Sequence, residues 1–214
     1  MNIMQLHDKA LDFAKAKHEG QVRKYTGTPY LEHPLEVAIS ARRWASEYFS
    51  CCPLIEAGQR YYPNLHANDI IIFLQIVALL HDVMEDCGVT MEELEEQFGP
   101  EVANGVWWLS EDQSLRETHN RQQRKEISHA RLKMAPLPIR YLKVLDILHN
   151  MRSILIYDQN FLVVFTKEVD QLCYDGLLLA GIPKPLLNHF EYVMAVAKEM
   201  VQHNLNTKDL VSYT

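Results

Sequence analysis

The run Ile76-Val77-Ala78-Leu79-Leu80-His81-Asp82-Val83-Met84-Glu85-Asp86 constrains this chain more than any other segment. Its apolar half reads as a buried helix, and buried helices rarely end in one imidazole and three carboxylates. At 3.6 residues per turn, His81 lies beneath Glu85 and Asp82 beneath Asp86, so the spacing predicts two stacked polar pairs. Like charges crowded there repel unless a cation, a proton or an arginine sits among them. A divalent metal is the simplest neutraliser, and His with Asp is a mixed ligand set that such a metal accepts. The plainer alternative is a solvated helix end with an acidic surface turn. Two further segments weigh against it: Tyr30-Leu31-Glu32-His33-Pro34 and Lys143-Val144-Leu145-Asp146-Ile147-Leu148-His149-Asn150. Each places a metal-capable side chain within an apolar stretch, and His33 and Asp146 complete a set of two His and two Asp.

Elsewhere the pattern is helical almost throughout. A helix is expected over 5–19, stopping at Gly20, and a loop over 23–30 around Gly27 and Pro29. Pro34 suits the first turn of a helix running to about Phe49. Residues 50–67, with Pro53, Gly58 and Pro63, read as an irregular or partly helical insertion, longer than the connection these helices need. Asn68 or Asp69 is expected to cap the helix that delivers His81 and Asp82. Thr90 and Glu93 match a capping box, and Gly99-Pro100 separates that short helix from the next. Further helices are expected at about 100–110, 117–134, 138–157, 161–179 and 184–204. Phe161-Leu162-Val163-Val164-Phe165 could pass for a strand, but its neighbours favour a buried helix. The reading is one all-α domain spanning 1–214, with its core in 6–180 and a C-terminal helix at about 184–204.

A net charge of −7 over 214 residues argues against a general nucleic-acid binder, which needs a clustered basic surface. It leaves room for a small anionic substrate, because a metal and a few local cations can reverse the field inside one cleft. Cys51, Cys52, Cys87 and Cys173 show no metal-site or disulfide spacing and read as reduced thiols. The apolar run from Ile70 to Leu80 is too short to span a bilayer, and the first ten residues do not resemble a signal peptide. A cytoplasmic protein without membrane partners is the expectation.

Three blocks carry a resemblance: GQVRKYTGTPYLEHPLEVA, ALLHDVMEDCGVTMEELEEQFGPEVANGV and YLKVLDILHNMRS. The order His…His-Asp…Asp resembles the HD metal-dependent phosphohydrolases. The surrounding words resemble the RelA/SpoT-type alarmone hydrolases, and more narrowly their small stand-alone members. The resemblance covers roughly residues 6–155. It implies an HD-domain fold with His33, His81, Asp82 and Asp146 holding a divalent ion, usually Mn²⁺, although another divalent transition metal would suit the donors. It implies Glu85 and Asp86 beside the ion, where a carboxylate can orient a water and take its proton. It also implies Arg23 and Lys24 on the nucleotide, although alone such a pair is usually solvated surface, and Asn150 near the nucleoside. Arg121 matches a phosphate-binding position more loosely. His149 points off the line shared by Asp146 and Asn150 and is expected to pack or hydrogen-bond. The chain departs from the family pattern at Ile147, where a cation is customary, and at Ser128 and His129, where paired tyrosines are often found.

The implied activity is metal-dependent removal of pyrophosphate from the 3′ position of guanosine tetra- or pentaphosphate (ppGpp or pppGpp), giving GDP or GTP. The alternatives are another nucleotide phosphohydrolase on the same site, such as one removing the 2′-phosphate of NADPH, and a nucleotide-binding regulator that has lost turnover.

Overall fold

The eleven residues Ile70–Leu80 carry no charged side chain, and in the computed structural model they form a helix with eight residues buried. A helix that is apolar around its whole circumference has to be wrapped by others. The structure describes residues 2–48 and 53–211. Its helices are α1 (Ile3–Lys17), α2 (Glu32–Tyr48), α3 (Pro53–Tyr61), α4 (Ile70–Leu80), α5 (Val83–Cys87), α6 (Met91–Phe98), α7 (Pro100–Leu109), α8 (Arg121–Lys133), α9 (Leu137–Tyr157), α10 (Gln159–Cys173) and α11 (Lys184–Val211). Short 3₁₀ turns cover Ala67–Asp69 and Gln113–Arg116. The only β feature among the described residues is one antiparallel bridge between Val22 and Pro29, which closes the loop ahead of α2.

Helix α4 is the axis. Helices α1, α2, α3, α7 and α9 all contact it, and the buried apolar residues form one cluster around it. Two glycines make the close approaches possible. A side chain on Gly105 in α7 would begin 2.8 Å from Val77 Cγ2, and one on Gly58 in α3 would begin 2.8 Å from Ile70 Cγ2. Helix α3 therefore seats on the start of α4, and Tyr62 just beyond it packs on Phe73 with ring centroids 4.5 Å apart. This gives the described part of the 50–67 segment, from Pro53 onward, a packing role behind the helix that leads to His81. Residues 49–52, including the end of the expected second helix and Cys51 and Cys52, lie outside the described residues.

The all-α expectation holds, and Phe161–Phe165 lies inside α10, packing by helical stacking of Phe161 and Phe165. Several boundaries differ. The expected side-chain cap at Asp69 is not made, because a 3₁₀ turn leads directly into α4. The helix expected at 117–134 begins only at Arg121, where Asn120 and Gln123 form a reciprocal cap. The one expected at 161–179 stops at Cys173. The acidic run is not one unbroken helix. His81 and Asp82 form a junction between α4 and α5, both with right-handed helical backbone angles, and α5 closes on Gly88 at φ 67°. No helix among the described residues is long and apolar enough to cross a membrane.

Candidate metal centre and active site

Three elements that are distant in sequence converge at the end of α4. Helix α2 brings His33 in its first turn, the α4–α5 junction brings His81 and Asp82, and the middle of α9 brings Asp146. His33 Nε2 lies 3.1 Å from Asp146 Oδ1 and 3.5 Å from Asp82 Oδ2. His81 Nε2 lies 3.2 Å from Asp82 Oδ2 and 3.7 Å from Asp146 Oδ1. His33, His81 and Asp146 are buried.

The groups behind these side chains fix their orientation. The Ala78 carbonyl lies 2.7 Å from His81 Nδ1, and a carbonyl can only accept, so Nδ1 carries a proton and Nε2 faces the cluster. His33 Nδ1 lies 2.7 Å from His149 Nδ1. Burial, helped by His33 and Arg23, pushes His149 down to about 4, so it is neutral and its Nδ1 is able to accept a proton carried on His33 Nδ1. The lone pair of His33 Nε2 then turns to the cluster as well. Tyr30 donates its hydroxyl to Asp82 Oδ2 at 2.9 Å, Lys143 donates to Asp146 Oδ2 at 2.8 Å, and Asn150 Nδ2 donates to Asp146 Oδ1 at 2.7 Å. Such outer partners orient and tune metal ligands.

The donor set fits a divalent cation. His81 Nε2 is buried and makes no hydrogen bond: Asp82 is close enough but not aligned to accept one. Burial alone would drive His81 neutral, yet the Asp82 and Asp146 carboxylates outweigh it and raise its pKa to about 9. The same field that favours a proton there favours a metal ion. Asp146 is held well below the usual carboxylate range, as the Lys143 ammonium and the two imidazoles overcome its burial. Two imidazoles and two carboxylates without a thiolate suit a Mn²⁺, Fe²⁺ or Zn²⁺ class of ion.

The cluster opens on a cavity of about 270 Å³ that Glu85 and Asp86 also line. Glu85 Oε1 accepts the backbone N–H of Glu111, which holds the carboxylate in place. Burial, then the charge of Asp82, raises the pKa of both Glu85 and Asp86. A carboxylate made more basic in this way is suited to take a proton.

The sequence-predicted cations are placed differently from one another. Arg23 lies outside the cavity and donates to Asn150 Oδ1 at 3.1 Å, so it reaches the cluster through Asn150. Lys24 is not brought to the cavity: its ammonium pairs with Asp158 at 3.0 Å on exposed surface. Arg121 forms a two-pronged pair with Glu168, at 2.7 and 2.9 Å. The cavity's own lysines are Lys125 and Lys143, to which sequence reasoning gave no role. Burial works against the charge on Lys143, but Asp146, Glu85 and Asp82 prevail and raise its pKa. Ser128 and His129 also line the cavity. The signal for that wall was present as Lys125, Ser128, His129 and Leu132, at i, i+3, i+4 and i+7 on one helix face.

Comparison with known proteins shows which family and fold this chain shares. A family model described as HD domain matches residues 68–170. Mouse guanosine-3′,5′-bis(diphosphate) 3′-pyrophosphohydrolase MESH1 is 33% identical over 147 residues, which is 68% of this chain and 68% of the mouse protein. The guanosine-3′,5′-bis(diphosphate) 3′-pyrophosphohydrolase of Spiroplasma citri is 31% identical over 148 residues. The matched region is 68% of this chain but only 16% of that much longer relative. A solved structure described as a metazoan ortholog of SpoT that hydrolyses ppGpp superposes with a TM-score of 0.63 at 22% identity, covering 89% of this chain and 94% of the other, and shows the shared fold. With His33, His81, Asp82 and Asp146 gathered on that fold, the chain belongs to the HD-domain family that includes mouse MESH1.

Proposed function

We propose that the chain is a divalent-metal-dependent phosphohydrolase that removes pyrophosphate from the 3′ position of ppGpp or pppGpp. The observation that carries this reading is the four-residue donor cluster with Glu85 and Asp86 on the same cavity wall. His33, His81, Asp82 and Asp146 would hold the ion, Mn²⁺ in this reading. When bound, such an ion polarises a phosphoryl oxygen and makes a coordinated water more acidic.

The chain's own residues supply the rest. Tyr30, His149, Lys143 and Asn150 keep the four donors aimed at one point. Glu85, anchored by the Glu111 N–H, and Asp86 orient the attacking water and accept its proton. The water oxygen forms the new bond to phosphorus and the bond from phosphorus to the ribose 3′ oxygen breaks. The proton taken by the carboxylate balances the one gained by the departing 3′ oxygen. Asn150, itself held by Arg23, positions the ribose, and Arg23 with Lys24 forms the outer nucleotide contact once Lys24 leaves Asp158. The reading carries with it a cytoplasmic enzyme of one domain, acting on a small nucleotide without nucleic-acid or membrane partners.

The test is incubation of Mn²⁺-loaded protein with ppGpp and, separately, NADPH, with product identification. GDP and pyrophosphate from ppGpp are expected. Phosphate release from NADPH with ppGpp untouched would overturn the substrate assignment. Tight ppGpp binding without any product would establish a regulator instead.

A further inference from the structure

Helix α8 faces the donor cluster across the cavity, and two of its side chains there, Ser128 and His129, have no hydrogen-bond partner among the described residues. Lys125, Ser128, His129 and Leu132 form one stripe along the cavity wall. Ser128 Oγ is buried with no hydrogen-bond partner, and no described residue hydrogen-bonds either ring nitrogen of His129. A buried hydroxyl is rarely left this way unless a ligand completes it, and the half-buried His129 ring stands beside it on the same wall.

Helix α9 shows which part of a ligand would do so. It presents Lys143, Asp146 and Asn150 to the cavity on successive turns, spanning about 10 Å at 1.5 Å per residue. Asn150 marks the end that Arg23 reaches. Helix α8 leads into the start of α9 through residues 134–136, and Lys143 lies on that starting half, so Lys143 marks the α8 end. Asp146 and the rest of the donor cluster lie between. With the nucleoside at the Asn150 end and the scissile phosphorus at the cluster, the group beyond that phosphorus faces α8.

We propose that Ser128 and His129 bind the outer phosphate of the 3′-diphosphate, the one beyond the phosphorus that water attacks, and so select a diphosphate over a monophosphate at that position. This rests on the hydrolase reading above. The wall can accept an anion because its two carboxylates are already paired. Glu168 is held by Arg121 at 2.7 and 2.9 Å, and Glu111 by Arg124 at 2.8 Å and Lys125 at 3.2 Å. Burial, with Lys125 and Lys143 nearby, pushes His129 down to about 4, so at neutral pH it offers one N–H donor beside the Ser128 hydroxyl.

The experiment compares wild type, Ser128→Ala, His129→Leu and His129→Gln on guanosine 5′-diphosphates carrying a 3′-diphosphate or a 3′-monophosphate. Calorimetric binding of inorganic pyrophosphate and of phosphate to the metal-loaded proteins is measured alongside. In His129→Leu the kcat/KM preference for the diphosphate should fall about tenfold to a hundredfold, the worth of a hydrogen bond to a charged group. Ser128→Ala should lose less, His129→Gln should retain most of the preference, and pyrophosphate affinity should fall in parallel at unchanged metal content. An unchanged preference and unchanged pyrophosphate affinity in both Ser128→Ala and His129→Leu would overturn the proposal. If His129→Leu fails to fold, Ser128→Ala decides it, His129→Gln serving as the control. Should wild type hydrolyse neither substrate, the hydrolase reading falls, and pyrophosphate binding still decides whether this subsite exists.

Discussion

The two walls of the cavity are built on opposite terms. On the donor wall each of the four donor residues is held from behind: His81 by Ala78, His33 by His149, Asp82 by Tyr30, and Asp146 by Lys143 and Asn150. On the α8 wall Ser128 and His129 are bound to nothing, and only the flanking charges are paired. A site that must gather two carboxylates around two imidazoles, with His–Asp separations of 3.1–3.7 Å, needs its geometry imposed before the ligand arrives, because unsupported acids would repel apart. A wall that meets a substrate has the contrary requirement and keeps its donors for the ligand. The donor wall therefore does the chemistry and the α8 wall the choosing.

The largest expected effect breaks the donor wall at its proton acceptor. Glu85→Ala should lose about 10²–10⁴-fold in single-turnover rate, the usual worth of a positioned general base. Asp86→Ala should fall less, since no backbone group anchors it as Glu111 anchors Glu85. Equal activity in both variants and wild type would place the chemistry elsewhere. A smaller effect sharpens the distinction between holding and touching the ion. His149→Leu removes only the partner of His33, and should weaken Mn²⁺ affinity by about 10–100-fold with the fold retained. Unchanged affinity by calorimetric titration would mean that His33 needs no orientation.

Legibility in the sequence follows the same division. His81, Asp82 and Asp146 stand out because polar, ionisable groups against apolar helical runs demand an explanation; periodicity puts Asp146 inside a helix and His81 and Asp82 at the end of one. His33 was legible through its block, and His149 as a hydrogen-bonding neighbour through its angle on α9. Tyr30 and Lys143 were quoted within those blocks without a role: the Tyr30 bond to Asp82 depends on how distant segments meet, whereas the Lys143 pair with Asp146 is an i,i+3 contact on α9 whose spacing was open to reading. The break at His81-Asp82 was hidden for a related reason: both residues keep helical backbone angles, so no glycine or proline marks it. Lys24 reads as a partner of Arg23 in sequence, yet tertiary packing gives it Asp158, which lies 134 residues away. The stripe on α8 was visible as a helix face, but which cavity it borders is set only by the packing of α8 against α7 and α10.

The smallest predicted effect tests the α8 wall through stability. Burial and the neighbouring lysines lower His129 to about 4 from its ordinary 6.5, so as pH falls between those values the unfolded chain takes up a proton that the folded protein refuses. Its contribution to stability is complete above about 6.5 and is lost as pH drops towards 4. Denaturant midpoints at pH 7 and pH 5 should therefore lie closer together in His129→Gln than in wild type. An identical spacing would show that His129 is not held neutral by its surroundings.

The most direct test of the whole account is the metal content of Asp82→Ala beside Glu85→Ala, by elemental analysis after loading with Mn²⁺ and removal of free ion. Asp82→Ala should lose the ion, because one of the four donors is gone, and its activity should vanish with it. Glu85→Ala should arrive fully loaded and fail only in turnover. A metal-free Glu85→Ala beside a loaded, active Asp82→Ala would contradict the assignment of the donor cluster.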